Sequence, residues 1–153
     1  MYYNSTRDNS CRVTSAQAIS RGISAEGGLF VPQELPRLSL EEIGGLAGKT
    51  YNEKAKFILS RFLTDFSAEE LADCVDSAYT DEKFDSANIS EIARVGETAY
   101  LLELWHGPTC AFKDMALQLL PHLLTVSAKK TVPGKEIVVL VATSGDTGKA
   151  ALE

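Results

Sequence analysis

The sequence predicts an α/β protein in two unequal parts: a mainly helical region over residues 1–87, then the start of a sheet domain over 88–153. Three observations predict it. The first half carries four helix-start signatures in which Ser or Thr is followed three residues later by Glu or Gln. The second half alternates apolar strand-like runs with a helical run. Its last apolar run, Glu136 to Thr143, is unbroken, as in a parallel sheet covered on both faces.

The helices come first. Thr14-Ser15-Ala16-Gln17 opens a short one that Gly22 can end. Ser39-Leu40-Glu41-Glu42 opens another, which Gly44-Gly45 soon stops. Thr50-Tyr51-Asn52-Glu53 begins a stronger helix, with Ala55, Ile58, Leu59, Phe62 and Leu63 on one face. Ser67-Ala68-Glu69-Glu70 begins the next, whose face is Leu71, Cys74, Val75 and Ala78. Cys74 is thereby expected in the core.

From Asn88 the period changes. Ile89 to Val95 and Thr98 to Trp105, joined at Gly96-Glu97, predict a β-hairpin, the second run suiting a buried strand. The loop His106 to Phe112 leads into a helix from about Lys113 to Lys129, nearly all apolar except for Gln118, His122, Thr125 and Lys129. Pro121 is expected to kink or break it. Pro133-Gly134 turns the chain into the strand Glu136–Thr143, and a further helix starts near Lys149. The chain ends at Glu153 as that helix begins, so it reads as a truncated fragment.

Composition narrows the function. Hydrophobic residues make up 44%, enough for a core, and the net charge of −6 argues against nucleic acid, which needs clustered Lys and Arg. The one basic cluster, Lys129-Lys130 with Lys135 near, reads as a solvated helix end. No run approaches the roughly 20 apolar residues of a membrane helix, and the first residues have no signal-peptide core. Cys11, Cys74 and Cys110 show neither metal spacing nor a disulfide framework, which suits a reduced, cytoplasmic protein.

Two segments carry chemistry, and each follows a strand and precedes a helix. In His106-Gly107-Pro108-Thr109-Cys110-Ala111-Phe112-Lys113-Asp114, a lysine stands in the first turn of an apolar helix. The helix dipole and the neighbours Ala111, Phe112 and Met115 are expected to favour its neutral amine, the form that condenses with a carbonyl. Position alone favours a lysine that snorkels to water. In Thr143-Ser144-Gly145-Asp146-Thr147-Gly148, glycines, hydroxyls and backbone N–H groups suit a carboxylate or phosphate. Position alone equally allows a plain turn with an Asp cap. Neither a Walker A loop nor a dinucleotide fingerprint is present.

These segments resemble the two signatures of the threonine synthases. His106-Gly107-Pro108-Thr109 with Ala111-Phe112-Lys113-Asp114 is similar to the cofactor-lysine motif, and Ala142 to Gly148 to the second. Tyr3 with Ser5-Thr6-Arg7, and Glu26 to Pro32, resemble the opening segments, so the resemblance spans nearly all 153 residues. It implies a tryptophan-synthase-like (fold type II) pyridoxal-phosphate enzyme converting O-phospho-L-homoserine and water into L-threonine and phosphate. It makes Lys113 the catalytic, cofactor-bearing residue and sets Asp146 beside the cofactor ring. Thr143, Ser144, Gly145, Thr147 and Gly148 then hold the substrate carboxylate. Relatives often carry Asn where this chain has Asp146. The cup for the cofactor phosphate and the contact to the ring nitrogen would lie beyond Glu153, so the fragment is expected to be inactive alone and prone to self-association. Two other readings stand: a related lyase or dehydratase on a hydroxy or phospho amino acid, and a non-catalytic anion-binding module.

Overall fold

The computed structural model describes residues 1–153, and its elements follow the local signals closely in the first half. Strand β1 (Tyr3–Ser5) pairs antiparallel with β2 (Phe30–Pro32), Asn4 standing opposite Val31. Tyr3 also bridges Val13, and with Ala18 these side chains form a small apolar cluster. The pairing closes residues 6–29 into a loop, which no sequence period announces.

Helices α1 (Ser15–Arg21), α2 (Leu40–Gly45), α3 (Tyr51–Phe62) and α4 (Ala68–Ala78) all begin at the predicted caps. At each, the Ser or Thr oxygen accepts from the backbone N–H three residues on, and the Glu or Gln returns to the cap N–H. Two orphan donors are satisfied per helix, so the starts are fixed locally. At α3 the backbone N–H of Thr50 and the Lys49 ammonium hold the Glu53 carboxyl down at about 2.

The main core lies where α4 meets α3, α1 and the later helices. Leu71, Cys74, Val75 and Ala78 are buried, as their spacing predicted. They pack with Leu63, Phe66, Tyr79, Phe84, Ile89, Leu119 and Leu123. A fully buried side chain of this kind contributes about 1.5–3 kcal/mol. Ala55, Leu59 and Phe62 of the α3 stripe lie against this cluster, while Ile58 sits at its edge, 36% exposed. Long-range polar ties reinforce it. Asp65, between α3 and α4, accepts from the Ser15 hydroxyl and, at 3.0 Å, from the Ala16 N–H at the start of α1.

The predicted long helix is two. α5 (Asp114–Leu117) ends at Gln118, and α6 (Leu120–Thr131) restarts with Pro121 in its first turn, where the missing N–H costs nothing. Gln118, expected on a polar outer stripe, is buried at the break. α6 packs along α1. Its Lys130, expected to be a solvated helix end, donates to the Glu70 carboxylate at 2.6 Å and to the Asp65 carbonyl at 2.7 Å.

The hairpin forms as β3 (Glu91–Val95) and β4 (Ala99–Glu103), Glu91 facing Glu103. β4 is not buried as expected, for Tyr100, Leu101 and Leu102 are all more than half exposed. The predicted strand 136–143 is also corrected. Those residues pair with no strand, and Val138 and Leu140 are 84% and 93% exposed. A strand needs a neighbouring ladder, and β3 and β4 pair only with each other. The chain ends in α7 (Asp146–Leu152), anchored by buried Ala150. No helix is long and apolar enough to cross a membrane.

Candidate functional site

The first segment leaves β4 at Glu103 and is immediately clamped. The His106 ring lies between two carboxylates, Nδ1 at 2.6 Å from Asp85 and Nε2 at 2.9 Å from Glu103. Its backbone carbonyl also accepts from the Asp85 N–H at 3.0 Å. The hydrogen bond to Asp85, then that to Glu103, hold the His106 pKa above its ordinary value. The clamp serves the fold as well, since Glu91 and Glu103 are paired like charges across the hairpin. His106 engages Glu103, and Ser86 and Asn88 engage Glu91.

Beyond His106 the loop folds onto Asp114, which is fully buried. Its carboxylate accepts from the Thr109 N–H at 2.9 Å and the Thr109 hydroxyl at 2.7 Å. The loop is closed further by Cys110 N–H donating to the Gly107 carbonyl at 3.1 Å, and by Asp114 N–H donating to that of Ala111 at 3.0 Å. Gly107 leaves no room for a side chain: a Cβ there would lie 2.5 Å from that of Asp114. Cys110 takes φ 55°, a left-handed conformation that costs a non-glycine residue about 1–3 kcal/mol and persists where the surroundings impose it. Lys113 occupies the cap position of α5. It is half-buried, its Nζ 4.2 Å from the centre of the Phe112 ring. Phe112 is itself 62% exposed, so the expected apolar enclosure of Lys113 is open on that side. The start of α5 is pinned by the Tyr79 hydroxyl, which donates to the Met115 carbonyl at 2.6 Å.

In the second segment Thr143 organises the turn. Its hydroxyl oxygen accepts from the N–H groups of Gly145 at 3.2 Å and Gly148 at 3.1 Å. Gly145 adopts φ 149°, a region open to glycine and few others. Two N–H groups are thereby used internally, while the Thr143 hydroxyl proton stays free to donate. Ser144 and Asp146 are exposed, and Thr147 and Gly148 are half-buried.

The two segments meet. α5 contacts α7, and the Lys149 Nζ lies 3.5 Å from the Thr109 carbonyl. The structure therefore brings the Lys113 loop and the 143–148 turn to one surface. The two large hollows lie elsewhere. One, of about 770 Å³, is between α3 and the hairpin, and the other, of about 570 Å³, is between α6 and residues 133–139. Neither is lined by Lys113 or by the 143–148 turn. Sequence reasoning gave no role to Asp114, Asp85 or Glu103. For Asp114 a signal existed, a helix-start acid five residues after a threonine. For the clamp none did, because its acids lie 21 residues before and three residues before the histidine.

The family described as threonine synthase N terminus matches residues 2–79. Threonine synthase-like 1 of Pongo abelii is 41% identical over 140 residues, covering 90% of this chain and 18% of that protein. Threonine synthase of Pseudomonas aeruginosa is 40% identical over 157 residues, covering all of this chain and 32% of the enzyme. A pyridoxal-phosphate-bound threonine synthase from Brucella melitensis superposes with a TM-score of 0.91 at 35% identity, over 99% of this chain and 32% of its own. The chain thus spans a third or less of the length of these relatives.

Proposed function

Because the chain belongs to the threonine synthase family, we propose that it supplies the lysine-bearing part of a pyridoxal-phosphate enzyme making L-threonine and phosphate from O-phospho-L-homoserine and water. One observation carries the reading. A lysine amine stands on a loop fixed by a fully buried carboxylate, next to a turn rich in hydroxyls. That donor set fits a group bearing an aldehyde and a phenolic oxygen. The amine suits the aldehyde, and the surface beside it is open rather than filled by packed side chains.

When bound, the cofactor supplies an electron sink for charge developing on the substrate. The chain's own residues do the rest. Lys113 would hold the cofactor aldehyde, and its amine would carry protons to and from the substrate Cα and Cβ. Ser144, Thr147 and the free Thr143 proton donate to the substrate carboxylate, and Gly145 and Gly148 shape the turn that aims them. Asp146, on the same turn, would be the residue beside the cofactor ring. An ionised Asp only accepts hydrogen bonds, where an Asn could also donate one. Cytoplasmic location belongs to the same proposal.

The test is chemical. The protein as expressed from its gene is incubated with pyridoxal phosphate, reduced with borohydride and mapped by mass spectrometry, with the adduct expected at Lys113. Modification spread evenly over the surface lysines rejects the assignment and leaves an anion-binding turn. The likeness to a protein named threonine synthase-like supports a second reading, a related lyase or dehydratase. Assaying the protein as expressed from its gene with O-phosphohomoserine, and scoring threonine against a keto acid, separates the two reactions.

A further inference from the structure

We propose that Asp114 is a positioning residue: with Thr109 it forms a clasp that sets the direction in which the Lys113 amine is presented. The inference rests on the proposed role of Lys113 and deepens it. Asp114 is wholly removed from solvent, yet no lysine or arginine pairs with it. Burying a carboxylate is unfavourable unless its oxygens are satisfied. Here the short contacts come from the loop that ends in Lys113, from the Thr109 N–H at 2.9 Å and the Thr109 hydroxyl at 2.7 Å. The Ala111 N–H adds a longer one at 3.5 Å.

Stability alone offers a simpler solution. An apolar residue of similar size would bury more favourably than a carboxylate. What the carboxylate adds is direction, because charged hydrogen bonds are short and strongly oriented. They close the loop over Gly107, where a Cβ would collide with Asp114, and hold Cys110 at its left-handed φ. Lys113 lies between Cys110 and Asp114 in the chain, so both sides of its backbone are fixed. The clasp also reaches the second segment, since the Thr109 carbonyl faces the Lys149 Nζ at 3.5 Å. A threonine held by Asp114 thus sets the relation of the lysine to the hydroxyl-bearing turn.

The test uses the protein as expressed from its gene at millimolar pyridoxal phosphate, with borohydride trapping at short times. The readout is Lys113 adduct relative to adduct at Lys56 and Lys83 in the same sample. Asp114→Asn and Thr109→Val are expected to lower that ratio about tenfold, less than the hundredfold that a misplacement of about 1 Å can cost. Thr109→Ser, which restores the hydroxyl, is expected to recover it. Thr109→Val removes one donor at nearly constant volume, so it keeps the test open if Asp114→Asn fails to fold. An unchanged ratio in folded Thr109→Val overturns the positioning role and leaves Lys113 as the carrier. A fall in Thr109→Val that Thr109→Ser does not reverse also overturns it, because the hydroxyl is then not the cause. No preference for Lys113 in the unaltered protein removes the carrier assignment and the clasp with it.

Discussion

The hairpin and the extended run 136–143 are richer in apolar residues than the helical body, yet only the body hides them. In the body, each helix start is fixed by its own cap, and one face of each of α3 and α4 turns to a shared cluster. In the second region, Ile92, Tyr100, Leu101, Leu102, Val138, Val139 and Leu140 are all more than half exposed. The difference lies in where the partners come from. A helix satisfies its backbone internally, whereas a strand depends on another strand. Helices can therefore bury their side chains within 153 residues, and a two-stranded hairpin has nothing to lie against.

Substitutions should separate the two regions sharply. Phe84→Ala, in the core, is expected to cost about 3–5 kcal/mol in urea unfolding. A cost under about 1 kcal/mol would mean that the body is less tightly built than its burial implies. Asp65→Ala unties the start of α1 and is expected to cost about 1.5–3 kcal/mol, the value of hydrogen bonds to a charged group. Thr50→Ala removes the α3 cap and is expected to cost about 1 kcal/mol. Leu140→Glu is expected to change the unfolding free energy by less than about 0.5 kcal/mol. The same change should lower the weight-average mass in sedimentation at high concentration, if the exposed run drives self-association. An unchanged mass would clear that run of the role.

Acid and base probe the regions from opposite sides. Glu53, held down at about 2 against an ordinary 4.5, supports α3 fully above pH 4.5 and loses that support as the pH falls through about 2. Circular dichroism should show helix fraying across that window, and Glu53→Gln should remove the dependence. His106 runs the other way. Its folded pKa is raised, so the clamp is fully present below its ordinary 6.5 and is lost as the pH rises through the raised value. An NMR titration of the ring should place the midpoint above 6.5, and Asp85→Asn should bring it down.

Legibility in the sequence follows the same division. The four caps and the Leu71–Cys74–Val75–Ala78 face are signals contained within one helix, so they could be read directly. The hairpin was legible from its Gly96 turn, and Pro121 marked the break between α5 and α6. Pairings between distant segments left no such trace. β1 with β2, Asp65 with α1 and Asp85 with His106 each join residues 20 or more apart. The run 136–143 misled for the converse reason. Its composition suits a covered strand, but strand formation is a property of two segments and here only one is provided. At the candidate site, both turns were visible from residue type. The buried acid that shapes the first was visible only as an aspartate at a helix start, which reads as an exposed cap.

Trp105, the chain's single tryptophan, stacks at a tilt beside His106, the ring centroids 5.7 Å apart. A protonated imidazole so near an indole accepts an electron from its excited state and quenches emission. Tryptophan emission, excited beyond the tyrosine band, therefore originates next to the clamp and brightens as His106 loses its proton. The loop that carries Lys113 comes with its own optical gauge, readable in an ordinary cuvette without label or cofactor.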